Sequence, residues 1–247
     1  MLNIRSSSAD APSLGFTEAK RRKSERNLTW IRRHLKEGGQ GALHLLLVGG
    51  TGVGDLRLRV AQSHLRHDMT PSHWSHVAIL GKPDLENVES TRTFEIALEP
   101  PGGFGFPAPT NGVQRGRLEA YADRKRFPNL ALIGLPLKRS LVEEAIQRFQ
   151  RQRSVLDANE LLLSWLAFLW GVGRAGNPLL SGSGTPSAAF VEVVLGAVGY
   201  ELTPGLESRA SCPEAIWQAA RWWHEFYTER ETRPLTGIYT TEHYLVG

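Results

Sequence analysis

Three residues have the types that nucleophilic chemistry uses, each in a distinctive local pattern. Ser187 falls in "SGTPSAAFVEVVLGAVGY" (183–200), directly after Thr185-Pro186. Threonine suits an N-cap and proline the first helical position, so a helix starts there and Ser187 lies in its first turn. At helical spacing Ser187 shares a face with Val191, Val194 and Val198, which turns it toward a core. A helix N-terminus offers partial positive charge and free N–H groups, which stabilise a thiolate or an oxyanion. A neutral hydroxyl gains little there unless a base takes its proton. The plain alternative is a serine bonded to its local backbone.

His76 lies in "HWSHVAIL" (73–80). Read as a strand, it puts Trp74, His76, Ala78 and Leu80 on one face and Ser75, Val77 and Ile79 on the other. Both faces are apolar, so the strand is buried and the imidazole needs a hydrogen-bond partner. It is either a satisfied core histidine or a base. Glu95, in "TRTFEIAL" (91–98), shares its face with Thr93 and Ala97. A buried carboxylate needs pairing, and a neighbouring imidazole would supply it while fixing the imidazole's tautomer. An exposed strand face is the other reading.

Other candidates are weaker. "GGTGVGD" (49–55) has glycines but no Gly-Lys-Ser/Thr, and its acidic residue would repel phosphate, so it reads as a strand-to-helix turn. His64, His67 and His73 lie in or beside a polar connection and read as solvated rather than metal-ligating. Cys212 precedes Pro213 at a helix start; a buried thiol is the expected fate, and one cysteine excludes an internal disulfide.

The elements that must position these residues follow from periodicity and turn residues. A helix is expected over 17–37, strands at 42–50, 73–80, 91–98, 130–136 and 236–246, and a helix at 54–65. Residues 99–112 read as a loop, "RLEAYADR" as a short helix, and residues 1–15 as disordered. Longer helices are expected at about 139–152, 157–171, 186–199 and 213–227. Strands gather in the first half and helices in the second. That order predicts an α+β fold, with a small antiparallel sheet packed on helices.

The 247 residues, 41% hydrophobic and 22% charged, suffice for one sizeable core. No apolar run is long enough to span a membrane, and no signal-peptide core is visible, so the expected location is cytoplasmic. Nine Lys/Arg against four Asp/Glu fall in residues 1–37, where Leu28, Ile31 and Leu35 form one apolar stripe. This is a helix docked by its stripe or an arm for an acidic partner. No aromatic-interleaved basic patch continues downstream, which disfavours nucleic acid.

Taken together these residues resemble the circularly permuted NlpC-type hydrolases of the papain-like superfamily, the YiiX-like group, related to the lecithin:retinol acyltransferase-like proteins. The matching segments are a Gly-Asp pair with its strand, "SHVAI" with His76, "FEIA" with Glu95, "NGVQRGRLEAYAD", and a helix opening "SAAFV" with Ser187. The resemblance spans roughly 42–205. It implies a permuted papain-like domain, which is expected over 38–247; residues 1–37 and those after 205 lie outside the matching segments, and residues 1–37 read from their own composition as a basic, partly disordered extension with one helix. It implies hydrolysis or transfer of an acyl group from an amide, thioester or ester, with no metal or organic cofactor. Position 187 would attack, His76 would act as base and then acid, Glu95 would orient it, and the residue 187 N–H would help form an oxyanion hole. Peptide, protein and lipid acyl substrates all fit.

The family pattern has cysteine where this chain has Ser187. Three accounts stand open: a Cys-to-Ser inactivated form, a natural non-catalytic relative, and a serine that itself attacks. The first is favoured because the rest of the constellation is intact. The rival class is a binding module that holds a partner through the cleft and the basic arm.

Overall fold

The computed structural model describes residues 16–37, 42–98, 110–152, 158–173, 175–230 and 235–242. Its strands are β1 (Thr17–Glu18), β2 (Leu43–Gly49), β3 (His76–Leu80), β4 (Arg92–Glu95), β5 (Gln114–Arg117), β6 (Asn129–Leu135) and β7 (Thr236–Thr240). Its α-helices are α1 (Asn27–Glu37), α2 (Val53–Ala61), α3 (Arg139–Arg151), α4 (Ala158–Trp170), α5 (Pro186–Ala197) and α6 (Pro213–Glu229). The class is α+β, as expected.

The strands form one seven-stranded sheet in the order β1-β7-β6-β2-β3-β4-β5. β2 lies antiparallel between β6 and β3, and every residue of β2 and β6 is buried. Their near-continuous apolar runs reflect burial on both faces. On one face Leu45, Leu47, Val77, Ile79, Ala131 and Ile133 join α3, α5 and α6 in the main core. On the other, Leu46, Val48, Leu80, Leu130 and Leu132 meet Trp30, Ile31 and Leu35 of α1. A smaller cluster joins Leu58 and Ala61 of α2 to Trp165 and Leu169 of α4.

Several expectations are corrected. The sheet is larger than anticipated and mixed, because β1 pairs parallel with β7. The expected helix over 17–37 is a short strand followed by α1, with a turn between them. The strand at 91–98 ends at Glu95, and the polar sequence of β5, "QRGR", is a strand where none was expected. β5 is the last strand of the sheet, where ladder hydrogen bonds rather than a buried face hold it, so it lacks apolar alternation. The proposed disorder of residues 1–15 and most of the 99–112 loop lie outside the described residues.

α1 docks by the expected stripe. Ile31 and Leu35 are buried, Leu28 is half-buried, and Trp30 is fully buried with its indole N–H bonded to Ala19 O at 2.9 Å. Part of the basic charge is spent internally: Arg21 bonds Glu242 at 3.1 Å and Arg33 bonds Glu25 at 3.0 Å.

Candidate active site

His76 is the first residue of β3, and its Nε2 lies 2.5 Å from Glu95 Oε2. β4 pairs with β3 through Ile79–Phe94 and Leu80–Thr93, so Thr93, Glu95 and His76 share one face of the sheet. The Thr93 hydroxyl donates to Glu95 Oε1 at 2.7 Å, and the Tyr121 hydroxyl donates to Glu95 Oε2. Tyr121 also stacks on the His76 ring, with centroids 6.3 Å apart.

The electrostatics of Glu95 are set by opposing effects. Burial pushes its pKa up; the His76 hydrogen bond and charge, then the Tyr121 and Thr93 hydroxyls, outweigh this and hold the carboxyl below its ordinary range. Tyr121 is pushed well above the ordinary phenol value, first by burial and then by the Glu95 charge, so it remains a neutral donor. Glu95 therefore anchors the imidazole through Nε2, which directs Nδ1 to any further partner. The side chain of His76 has no hydrogen bond to a described residue other than Glu95.

Ser187 is 3% exposed, in the first turn of α5. Pro186 stands at the helix start, and Thr185 takes the N-cap position with extended backbone. The expected threonine cap is absent, since its hydroxyl makes no cap bond and has no partner. Backbone bonds hold the entry instead, from Thr185 N–H to Ser211 O at 2.8 Å and from Gly184 N–H to Arg209 O at 2.7 Å. Among the described residues no side chain bonds the N–H groups of Ser187 and Ala188, while the Ala189 N–H bonds Thr185 O at 2.9 Å.

His76 and Ser187 line one cavity of about 60 Å³. Asp55, Ser75, Tyr121 and Arg126 add polar groups to its wall, and Leu58 and Leu169 add apolar ones. The sheet, α2, α4 and the start of α5 converge there, so residues 111 positions apart in sequence meet at one opening.

Sequence reasoning missed Tyr121, Thr93, Asp55 and Ser75. The Ser75 hydroxyl donates to Asp55 Oδ1 at 2.6 Å and accepts from Gly50 N–H at 3.1 Å. A Cβ at Gly50 would lie 2.1 Å from Asp55 Oδ2, so this glycine serves close approach in a strand-to-helix turn. The Gly54-Asp55 pair stands in the first turn of α2 rather than ahead of a strand, which weakens that one match to the family pattern. A tyrosine in a matched segment was the available signal for Tyr121.

The other candidates settle elsewhere. Cys212 is fully buried at the start of α6, off the cavity wall, and burial pushes its thiol up to about 12. His64 bonds Ala61 O at 3.0 Å, and His73 packs edge-on to Trp74. Among the described residues no group of three or more His, Cys, Asp or Glu is placed to hold a metal. No described helix is long and apolar enough to cross a membrane.

No family model matches the chain, and no curated protein matches it.

Proposed function

We propose that this cavity is built for acyl hydrolysis or transfer on an amide, thioester or ester, as in the permuted NlpC-type hydrolases the sequence resembles. The observation that carries the reading is the His76–Glu95 pair opening onto the same cavity as residue 187 at a helix start. Residue 187 attacks the carbonyl carbon. His76, held through Nε2 by Glu95, takes the nucleophile's proton at Nδ1 and gives it to the leaving group, whose departure leaves the acyl group on residue 187; water or an acceptor, deprotonated by the same nitrogen, then attacks that acyl carbon, and the proton returns to residue 187 as it leaves. The uncapped N–H groups of the first turn of α5 bear on the oxyanion.

A second reading is favoured by one observation. The imidazole of His76 bonds Glu95 and not the Ser187 hydroxyl, as suits a cavity that binds without cleaving. A thiol at this position would ionise beside the imidazole and the helix start, whereas a hydroxyl must lose its proton during attack.

The discriminating experiment compares Ser187→Cys with the unchanged chain on a panel of peptide-amide, thioester and ester substrates. Turnover by the cysteine form that is lost on adding His76→Ala supports the hydrolase reading. No turnover of any class by a folded cysteine form overturns it in favour of the binding module.

A further inference from the structure

Three separate elements bring exposed apolar side chains together beside the cavity that His76 and Ser187 line. On α2, Val53 and Val60 lie two turns apart on one face, with Arg57 between them. Arg57 Nη1 donates to Phe168 O at 3.3 Å and to Leu169 O, and it lies 3.5 Å from the place a Cβ would take on Gly171. These contacts set the Val53–Val60 face against the end of α4, where Trp170 and Val172 flank Gly171. Asn177 Nδ2 donates to Ala61 O at 2.8 Å, which joins the 3₁₀ turn Pro178–Ser181, with Leu180, to the end of α2.

Val53, Val60, Trp170, Val172 and Leu180 are each about half exposed or more. They add nothing to the local core, which α2 and α4 build from Leu58, Ala61, Trp165 and Leu169. One exposed leucine is ordinary, but large apolar side chains gathered from three elements form a patch, and such patches mark interaction sites. The patch borders the cavity, since Leu58 and Leu169 also stand on the cavity wall.

A cationic surface meets the patch at the start of α2. The Thr51 N–H and hydroxyl bond the carbonyls of Arg126 and Lys125 at 3.0 and 3.2 Å, which places those two residues beside Val53. Arg126 lines the cavity as well. Arg124 Nη1 donates to Arg22 O at 3.4 Å and so brings the turn ahead of α1 alongside. Over residues 22–26 and 123–126, Arg22, Lys23, Arg26, Lys125 and Arg126 are exposed, against the single exposed carboxylate of Asp123. Glu25 is buried and bonded to Arg33, and Glu242 is bonded to Arg21 and Arg124.

We infer that this face docks on a bilayer surface that carries anionic lipid. The apolar side chains enter the boundary between headgroups and acyl chains, a depth that suits tryptophan, and the cations meet headgroup phosphates. A bilayer presents apolar depth and negative surface charge side by side, as this face requires. A second copy of the chain would instead bring like charges together around the patch. The contact is peripheral, with the cavity mouth turned to the bilayer. Docking needs neither His76 nor Ser187, so the inference is independent of the acyl-transfer reading.

The test is co-sedimentation of the purified chain with vesicles of phosphatidylcholine alone and of phosphatidylcholine with an equal part of phosphatidylglycerol. Binding to the anionic vesicles is expected, stronger than to the neutral ones and weakened by added salt. Trp170→Ala should weaken it by roughly tenfold or more, the scale of one large apolar side chain returned to water. Lys23→Gln, Lys125→Gln and Arg126→Gln should each weaken it by roughly fivefold. All four residues are exposed, so the variants should keep the melting temperature of the unchanged chain. Leu141→Ala is the control. Leu141 is also exposed, but α3 starts beside Ala42, at the end of β2 away from the cavity, so this variant should bind fully. No binding to the anionic vesicles, equal binding to both kinds, full affinity in Trp170→Ala, or an equal loss in Leu141→Ala would overturn the proposal. Self-association that Trp170→Ala abolishes, without vesicle binding, would assign the patch to a second copy and overturn it too.

Discussion

His76 and Glu95 bond at 2.5 Å although they are not cross-strand partners. The β3–β4 register, continued by one step from Ile79–Phe94, sets Glu95 beside Ala78, two residues along the same face from His76. The diagonal contact lets a long carboxylate reach the imidazole at the mouth of the sheet while Thr93 and Tyr121 hold its two oxygens from within. Glu95 thus holds the imidazole from behind and is not itself on the cavity wall.

Ser187→Cys should create a reactive thiol in a background where Cys212 is changed to Ala. The thiol would stand in an uncapped first turn, where N–H groups favour an anion, so its pKa should fall below the free value of about 8.5. Adding His76→Ala should slow alkylation at neutral pH. The pH dependence of iodoacetamide labelling measures both effects. A thiol titrating at or above the free value would reduce Ser187 to a helix-start residue.

The native Cys212 thiol should label slowly near neutral pH in the folded chain, because it is fully buried and its pKa is pushed up to about 12. Labelling should become fast only on unfolding in denaturant, and mass spectrometry of timed samples separates the two rates.

Glu95→Gln should lower stability at neutral pH by about 1–3 kcal/mol, since the His76, Thr93 and Tyr121 groups lose a charged acceptor. The folded carboxyl has a depressed pKa, so its contribution is fully present above the ordinary carboxylate value and is lost as pH falls through the folded one. Urea denaturation at a series of acidic pH values should show the difference between wild type and the Gln variant shrinking as pH drops.

Glu192 on α5 should act in the opposite sense. Burial raises its carboxyl to about 7, against partial compensation from Thr203 and Ser211. A raised folded pKa gives stability that is full below the ordinary carboxylate value and is lost as pH rises through about 7. Glu192→Gln should therefore flatten the stability profile between pH 5 and 8, a change of up to roughly 3 kcal/mol at the upper end. Melting temperatures across that range test it.

Trp30→Ala should cost about 3–5 kcal/mol, because it empties a fully buried site in the second core and removes the bond to Ala19. Deleting the chain through Leu35 should lower the melting temperature further. An unchanged melting temperature for the deletion would mean that α1 is a free arm.

Sequence periodicity alone settled much of this protein. The apolar runs of β2 and β6, the stripe on α1 and the start of α5 at Thr185-Pro186 were legible because burial and helix initiation leave local signatures in residue type and spacing. The inward aim of Ser187 followed from its face of the helix. Other features had no local signature. β5 reads "QRGR" because an edge strand is held by its neighbour's backbone, and the N-cap hydroxyl of Thr185 makes no cap bond, while Ser211, from a distant segment, holds that turn through the backbone. The pairing of His76 with Glu95, the choice of Tyr121 and Thr93 as its supports, and the placing of His76 and Ser187 on one cavity wall depended on strand order, register and helix packing. These bring together residues far apart in the chain, and only tertiary packing determines which of them share a wall.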